Sequence, residues 1–141
     1  MSNLINQNKV TLILKEFEAG KIESALKKTR KYLKANPHDY NTRYNYALML
    51  QKAGNIEEAI KNYNKVILND NKNWRALTNL YLIFFDQEKY KQGLVLVNKI
   101  LSILPNHQPT LRDKAHLQYY LGDLEEAQNN VILSIKLNPK D

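Results

Sequence analysis

AGNIEEAIKNYNKVILNDN, residues 53–71, has the pattern of an amphipathic helix entered through a glycine. Ile56, Ala59, Ile60, Tyr63, Val66 and Ile67 fall at i, i+3, i+4, i+7, i+10 and i+11, the spacing that lines apolar side chains along one face of an α-helix. Glu57 and Glu58 stand near the positive end of that helix, where its dipole favours them. Just upstream, Arg43, Tyr46, Ala47 and Leu50 trace a second stripe that closes at Gly54. A glycine past a helix end takes the left-handed conformation without a Cβ clash, so Gly54 reads as the C-cap of one helix and the turn into the next. The unit is a helical hairpin.

The hairpin recurs. AGKIESALKKTRKYLKANP starts at Ala19, QEKYKQGLVLVNKILSILP at Gln87 and LGDLEEAQNNVILSIKLNP at Leu121, each 34 residues after the copy before it. In this overlay Gly20, Gly54, Glu88 and Gly122 form one column. Ala25, Ala59, Gly93 and Ala127 form a second, and Pro37, Asn71, Pro105 and Pro139 a third. Small residues suit a close helix crossing. Proline suits the exit from the second helix, because it lacks an N–H and disfavours helix in the residue before it.

A 34-residue period with small, aromatic and proline columns in this order resembles the tetratricopeptide repeat family. The resemblance covers nearly the whole chain, as repeats at 6–39, 40–73, 74–107 and 108–141. It implies an all-α fold, an α-solenoid of stacked helix-turn-helix repeats forming a right-handed superhelix. The first helices would line its concave groove and the second helices its convex back. The family's first-helix tryptophan is replaced by Lys9, Arg43, Leu77 and Leu111, and Trp74 stands three positions before that column. Glu88 should cost the third turn about 1 kcal/mol if it is left-handed. Glu16 in repeat one, and Lys114 and Gln118 in repeat four, occupy otherwise apolar columns, as expected of atypical outer repeats in a stacked array.

Composition bounds the rest. In 141 residues, 43% are hydrophobic and none is cysteine, which gives enough apolar material for a core and leaves no disulfide or zinc–thiolate site. We expect a cytoplasmic protein, since a reducing compartment is the default and no stretch reads as a signal peptide or membrane span. No cofactor and no metal site are expected. There is no glycine-rich phosphate loop, nucleophile elbow or His–carboxylate pairing at ligand spacing, so we expect a chain that is not an enzyme in itself. His38 and His107 fall in turns between repeats, and His116 falls in a ligand-facing column.

The resemblance also implies where a ligand would lie, in the second, fifth, sixth, ninth, twelfth and thirteenth columns of each repeat. The candidates are Thr11 in repeat one and Tyr44, Asn45 and Leu48 in repeat two. Repeat three supplies Arg75, Asn79, Leu82 and Phe85, and repeat four Arg112, Asp113, His116 and Tyr119. Such a mixed polar and aromatic lining suits an extended peptide, with amides for its backbone and rings for its side chains. The carboxylate clamp of chaperone-binding relatives is mostly missing, because Val10 and Leu14 replace its leading Lys and Asn although Asn45, Arg75 and Asn79 keep part of it. The sixth column, Thr11, Asn45, Asn79 and Asp113, resembles half of the asparagine ladder of O-GlcNAc transferases. An asparagine-rich chain places two such residues by chance as well.

The expected function is a protein-interaction scaffold with a protein or peptide partner. A recognition module of a larger glycosyltransferase or sulfotransferase is one alternative. Self-association is another, because Leu124, Val131, Ile132 and Ile135 have no polar helix after them to cover them. A net charge of +7 admits RNA as a third. Nucleic acid is not favoured: the basic run Lys21, Lys27, Lys28, Arg30, Lys31 and Lys34 lacks the interleaved aromatics that stack bases. No membrane partner is expected.

Overall fold

A computed structural model of the chain describes residues 2–140. Among the described residues there are eight helices and no strand. They are α1 (Ser2–Glu18), α2 (Ile22–Ala35), α3 (Tyr40–Lys52), α4 (Ile56–Asn69), α5 (Trp74–Asp86), α6 (Tyr90–Ile103), α7 (Gln108–Leu121) and α8 (Leu124–Leu137). The fold is all-α and made of stacked helix-turn-helix repeats. It forms two compact units, residues 1–69 and 70–141. In the first, α1 pairs with α2 and α3 with α4, and α2 packs on α3; in the second, α5 pairs with α6 and α7 with α8, and α6 packs on α7.

The turn inside each hairpin is the same object four times. The N–H of Gly54 donates to the Gln51 carbonyl at 3.1 Å and that of Asn55 to Leu50 at 2.8 Å. These are the paired bonds that satisfy the last carbonyls of a helix through a left-handed residue. Gly20 and Gly122 are left-handed too, with φ of 82° and 87°. Glu88 completes the column at φ 57°, and its N–H donates to Phe85 at 2.9 Å while Lys89 donates to Phe84 at 2.8 Å. The third turn thus keeps the geometry without the residue best suited to it.

Behind the turn lies the small-residue column. Ala25, Ala59 and Ala127 are buried. A Cβ on Gly93 would stand 3.3 Å from Leu117 Cδ2 and 3.4 Å from Tyr81 Cδ2, so the column sets how near α6 comes to α5, its own hairpin partner, and to α7, the helix that follows. Of the stripe in residues 53–71, Ala59, Tyr63 and Val66 are buried, while Ile56, Ile60 and Ile67 are half-buried. Asn62 is buried as well, between the apolar positions.

Polar groups fasten the first unit. Asp39 caps α3 by accepting from the Thr42 N–H at 3.0 Å and the Thr42 hydroxyl at 2.8 Å, and it also accepts from the Tyr32 hydroxyl at 2.9 Å. Burial works against the Asp39 carboxylate, but those three donors outweigh it and hold its pKa below the ordinary value. Arg43, in the family's tryptophan column, donates to Asn62 Oδ1 at 3.1 Å and to the Pro37 carbonyl at 3.0 Å. In this repeat a tie between α3, α4 and the preceding turn takes the place of an aromatic plug. Glu16, another polar residue in an apolar column, pairs with Lys28 and accepts from the Ser24 hydroxyl at 3.1 Å.

Glu88→Gly relieves the left-handed strain at the cost of a more flexible unfolded chain. The net expectation is a gain of about 0.5–1 kcal/mol, read as a raised urea midpoint at unchanged slope. The control Gly54→Glu, which installs the same strain where it is absent, should lose a similar amount.

Candidate functional site

The second unit gathers the larger share of the candidate residues. Arg75, Asn79, Leu82 and Phe85 lie on α5, and Arg112, Asp113, His116 and Tyr119 on α7. Arg75 and Leu82 are exposed, as are Arg112, His116 and Tyr119. Asn79, Phe85 and Asp113 are half-buried. Side chains of the two helices meet. The Tyr81 hydroxyl of α5 bonds Asp113 of α7, and the Phe85 ring meets the Tyr120 ring edge-on with centroids 5.8 Å apart.

Around Phe85 the rings form a bank. Tyr90 meets Phe85 edge-on at 5.7 Å and stacks on Tyr120 at 4.7 Å with only 11° between planes. Tyr119 leans edge-on against Tyr120 at 5.8 Å and is 65% exposed. Tyr90 and Tyr120 are absent from the twelve candidates, although Tyr120 belongs to a ligand-facing column. The signal for Tyr90 is in the overlay, where its column holds Ile22, Ile56 and Leu124. An aromatic in an aliphatic column marks a local change of task.

Tyr81 carries the same kind of signal. Its counterparts are Ile13, Ala47 and Ala115, none of which carries a hydroxyl to face Asp113. Burial pushes the Asp113 carboxyl up, against the Tyr81 bond and the charges of His116, Arg112 and His107, which pull it down; burial prevails. Burial likewise raises Tyr81, and the facing Asp113 raises it further. At the edge of this unit the Trp74 and His107 rings lie 5.8 Å apart and Arg75 stands 5.3 Å over Trp74. His107 Nδ1 lies 2.7 Å from Thr110 Oγ1. His107 thus sits at the N-cap of α7, half-buried and placed by packing.

In the first unit, Thr11 lies on α1 and Tyr44, Asn45 and Leu48 on α3. Thr11 is exposed and its hydroxyl donates to the Gln7 carbonyl at 2.9 Å. Tyr44, Asn45 and Leu48 are half-buried. Tyr44 meets Tyr63 edge-on at 6.0 Å, and the Tyr63 hydroxyl donates to Gln51 at 2.9 Å. Lys52 of α3 stands 5.7 Å over the Phe17 ring of α1. The sixth column is therefore divided between the units, Thr11 and Asn45 in one, Asn79 and Asp113 in the other.

The basic run on α2 does not act as one patch. Arg30 donates to the Tyr46 hydroxyl at 3.1 Å and Lys28 pairs with Glu16. Lys21, Lys28 and Lys31 join Lys9 and Lys15 around a concavity of about 840 Å³ between α1 and α2, floored by Leu12, Ile13 and Tyr32. Among the described residues no three His, Asp or Glu side chains gather as metal ligands. No described helix is long and apolar enough to cross a membrane.

Residues 16–81 match the sequence model of the family described as tetratricopeptide repeat. No curated protein matches the chain. Among solved structures, a tetratricopeptide repeat protein from Parabacteroides merdae is similar at a TM-score of 0.90 and 19% identity, over 96% of this chain and 54% of that one. MamA from Desulfovibrio magneticus RS-1 is similar at 0.84 and 15% identity, over 96% and 77%. PilF of Pseudomonas aeruginosa is similar at 0.76 and 18% identity, over 99% and 64%. At these identities the likeness is one of fold.

Asp113 supplies a pH signature for this site. Its folded pKa lies above the unfolded one, so the folded chain keeps the proton longer and stability falls as pH rises from the unfolded value through the folded one. Relative to wild type, Asp113→Asn is expected to gain stability as pH is raised through that window, measured by urea unfolding at a series of pH values. A difference that is flat with pH would show neither form of Asp113 to be preferred on folding, and one that runs the other way would show the charged form to be the better accommodated.

Proposed function

The chain is built of tetratricopeptide repeats, and from that premise we propose a non-catalytic protein-interaction scaffold that binds an extended peptide or a partner helix along its first-helix faces. We take its repeats as 6–39, 40–73, 74–107 and 108–141. The observation that carries the reading is the exposed bank of rings on the second unit, with Tyr119 and Tyr120 outermost and Phe85 and Tyr90 behind them. Tyrosine offers a large contact area with few torsions to freeze, so a rigid, pre-stacked bank binds at low entropic cost.

Polar groups stand beside it. Asn79 and Asp113 share the sixth column, and Arg112, His116 and Arg75 lie exposed around them. An extended segment presents alternating backbone donors and acceptors, which amides and carboxylates can satisfy while alternate side chains meet the rings. The first unit offers a surface of its own with the same chemistry, in Tyr44, Asn45 and Leu48, with Thr11 on α1.

Selection of displayed random peptides against the full chain tests the reading. Enriched sequences should bind in fluorescence polarisation, and Asn79→Ala or Tyr119→Ala should each weaken them by about 1–3 kcal/mol. Tyr119 is largely exposed, so its loss leaves the fold intact. A selection without enrichment, or peptides indifferent to both substitutions in a chain of wild-type helicity, would remove the binding face from α5 and α7.

A further inference from the structure

Among the second helices of the repeats, α8 breaks a pattern that the other three keep. The column of Ile132 holds Arg30, Asn64 and Asn98, and that of Leu133 holds Lys31, Lys65 and Lys99. All six of those counterparts are exposed, as suits polar side chains on an outer surface. Ile132 and Leu133 are each 43% exposed. Two adjacent aliphatic residues therefore stand where the repeat ordinarily meets water. This is separate from stacking, because the columns buried in all three other second helices hold Ala127 and Val131 in α8.

The charges on α8 are ordered along it. Glu125 and Glu126 occupy the first turn and Lys136 the last. Glu125, Ile132, Leu133 and Lys136 stand at i, i+7, i+8 and i+11, which places them on one helical face. That face runs from an acidic end through the exposed amides Gln128 and Asn129 and the apolar pair Ile132 and Leu133 to a basic end, and its charges are complementary to themselves when turned end for end.

We propose that this outer face of α8 pairs with the α8 of a second copy of the chain, antiparallel and about a two-fold axis. Glu125 and Lys136 are placed symmetrically about residues 130 and 131. The axis that sets Glu125 against Lys136 of the second copy therefore passes within a turn of Ile132, so that the two Ile132 side chains lie within a turn of each other, with Asn129 of the opposite copy beside each. A parallel pairing would oppose like charges at both ends. The antiparallel one also opposes the two helix dipoles favourably. Because the same patch serves both copies, the assembly closes at two and does not grow. The inference goes beyond peptide binding, whose residues lie on α5 and α7, and neither failure entails the other.

The test is the mass of the full chain by sedimentation equilibrium over a range of concentrations. Wild type should approach twice its 16.5 kDa. Ile132→Asn with Leu133→Lys, which installs the residues found at Asn98 and Lys99, should halve the mass at unchanged helicity, since three other repeats fold with polar residues there. Glu125→Lys alone and Lys136→Glu alone should each be monomeric, and an equimolar mixture of the two should return to the dimer mass, because every opposed pair is again of opposite sign. Concentration-independent monomer mass for wild type would assign the face to a different protein and overturn the proposal. So would unlimited growth, a dimer that survives the Ile132→Asn and Leu133→Lys variant, or failure of the mixed variants to re-pair.

Discussion

A helix of 13 or 14 residues is at the margin of stability in water on its own, and seven of the eight helices here have that length. Each persists by laying its apolar stripe on a neighbour, and the distance of approach is set by the residue at the crossing. Ala25, Ala59, Gly93 and Ala127 fill that role in the four hairpins, and at Gly93 a Cβ would stand 3.4 Å from Tyr81 of the partner helix. The left-handed turn residue a few positions earlier aims the second helix at this crossing. Turn and crossing work as a pair: without the turn the stripe points elsewhere, and without the small residue the helices stand apart and the core between them is lost.

Because every repeat touches only its neighbours, each helix must resolve locally whatever its neighbours do not cover. The first hairpin does so with charge. Lys15 stands in the column of Met49, Ile83 and Leu117, all buried in their repeats, and Lys9 and Glu16 likewise replace residues that would want cover. The last hairpin does the opposite. Val131 is exposed where Thr29, Tyr63 and Val97 are buried, and Ile132 and Leu133 add apolar surface that stacking would not call for.

Much of the architecture was legible because it is written in repetition. The period located all four turns, and comparison of columns exposed Glu88 as the residue out of place before any dihedral angle was known. Single-helix periodicity served less well for polar residues. It marked Arg43 as part of an apolar stripe and passed over Asn62, whereas the two bond each other inside the first unit. A stripe argument sorts residues by hydropathy and cannot see that two polar side chains bond each other within it. Tyr90 and Tyr81 were missed for a related reason. Their meaning lies in differing from their columns, and the columns were read for what they share.

That difference bears on how such a chain acquires a function. The columns that hold the fold are constrained, since a Cβ at Gly93 would stand 3.3 Å from the Leu117 side chain. The columns that face outward are free, and departures there carry information that the fold does not require. Tyr90 places a ring under Phe85 and Tyr120, and Ile132 with Leu133 turn an outer face apolar. None of these residues is demanded by stacking, and each changes what its surface can bind. In a repeat protein the residues that break the period are therefore the first to examine for recognition, because stability explains the others.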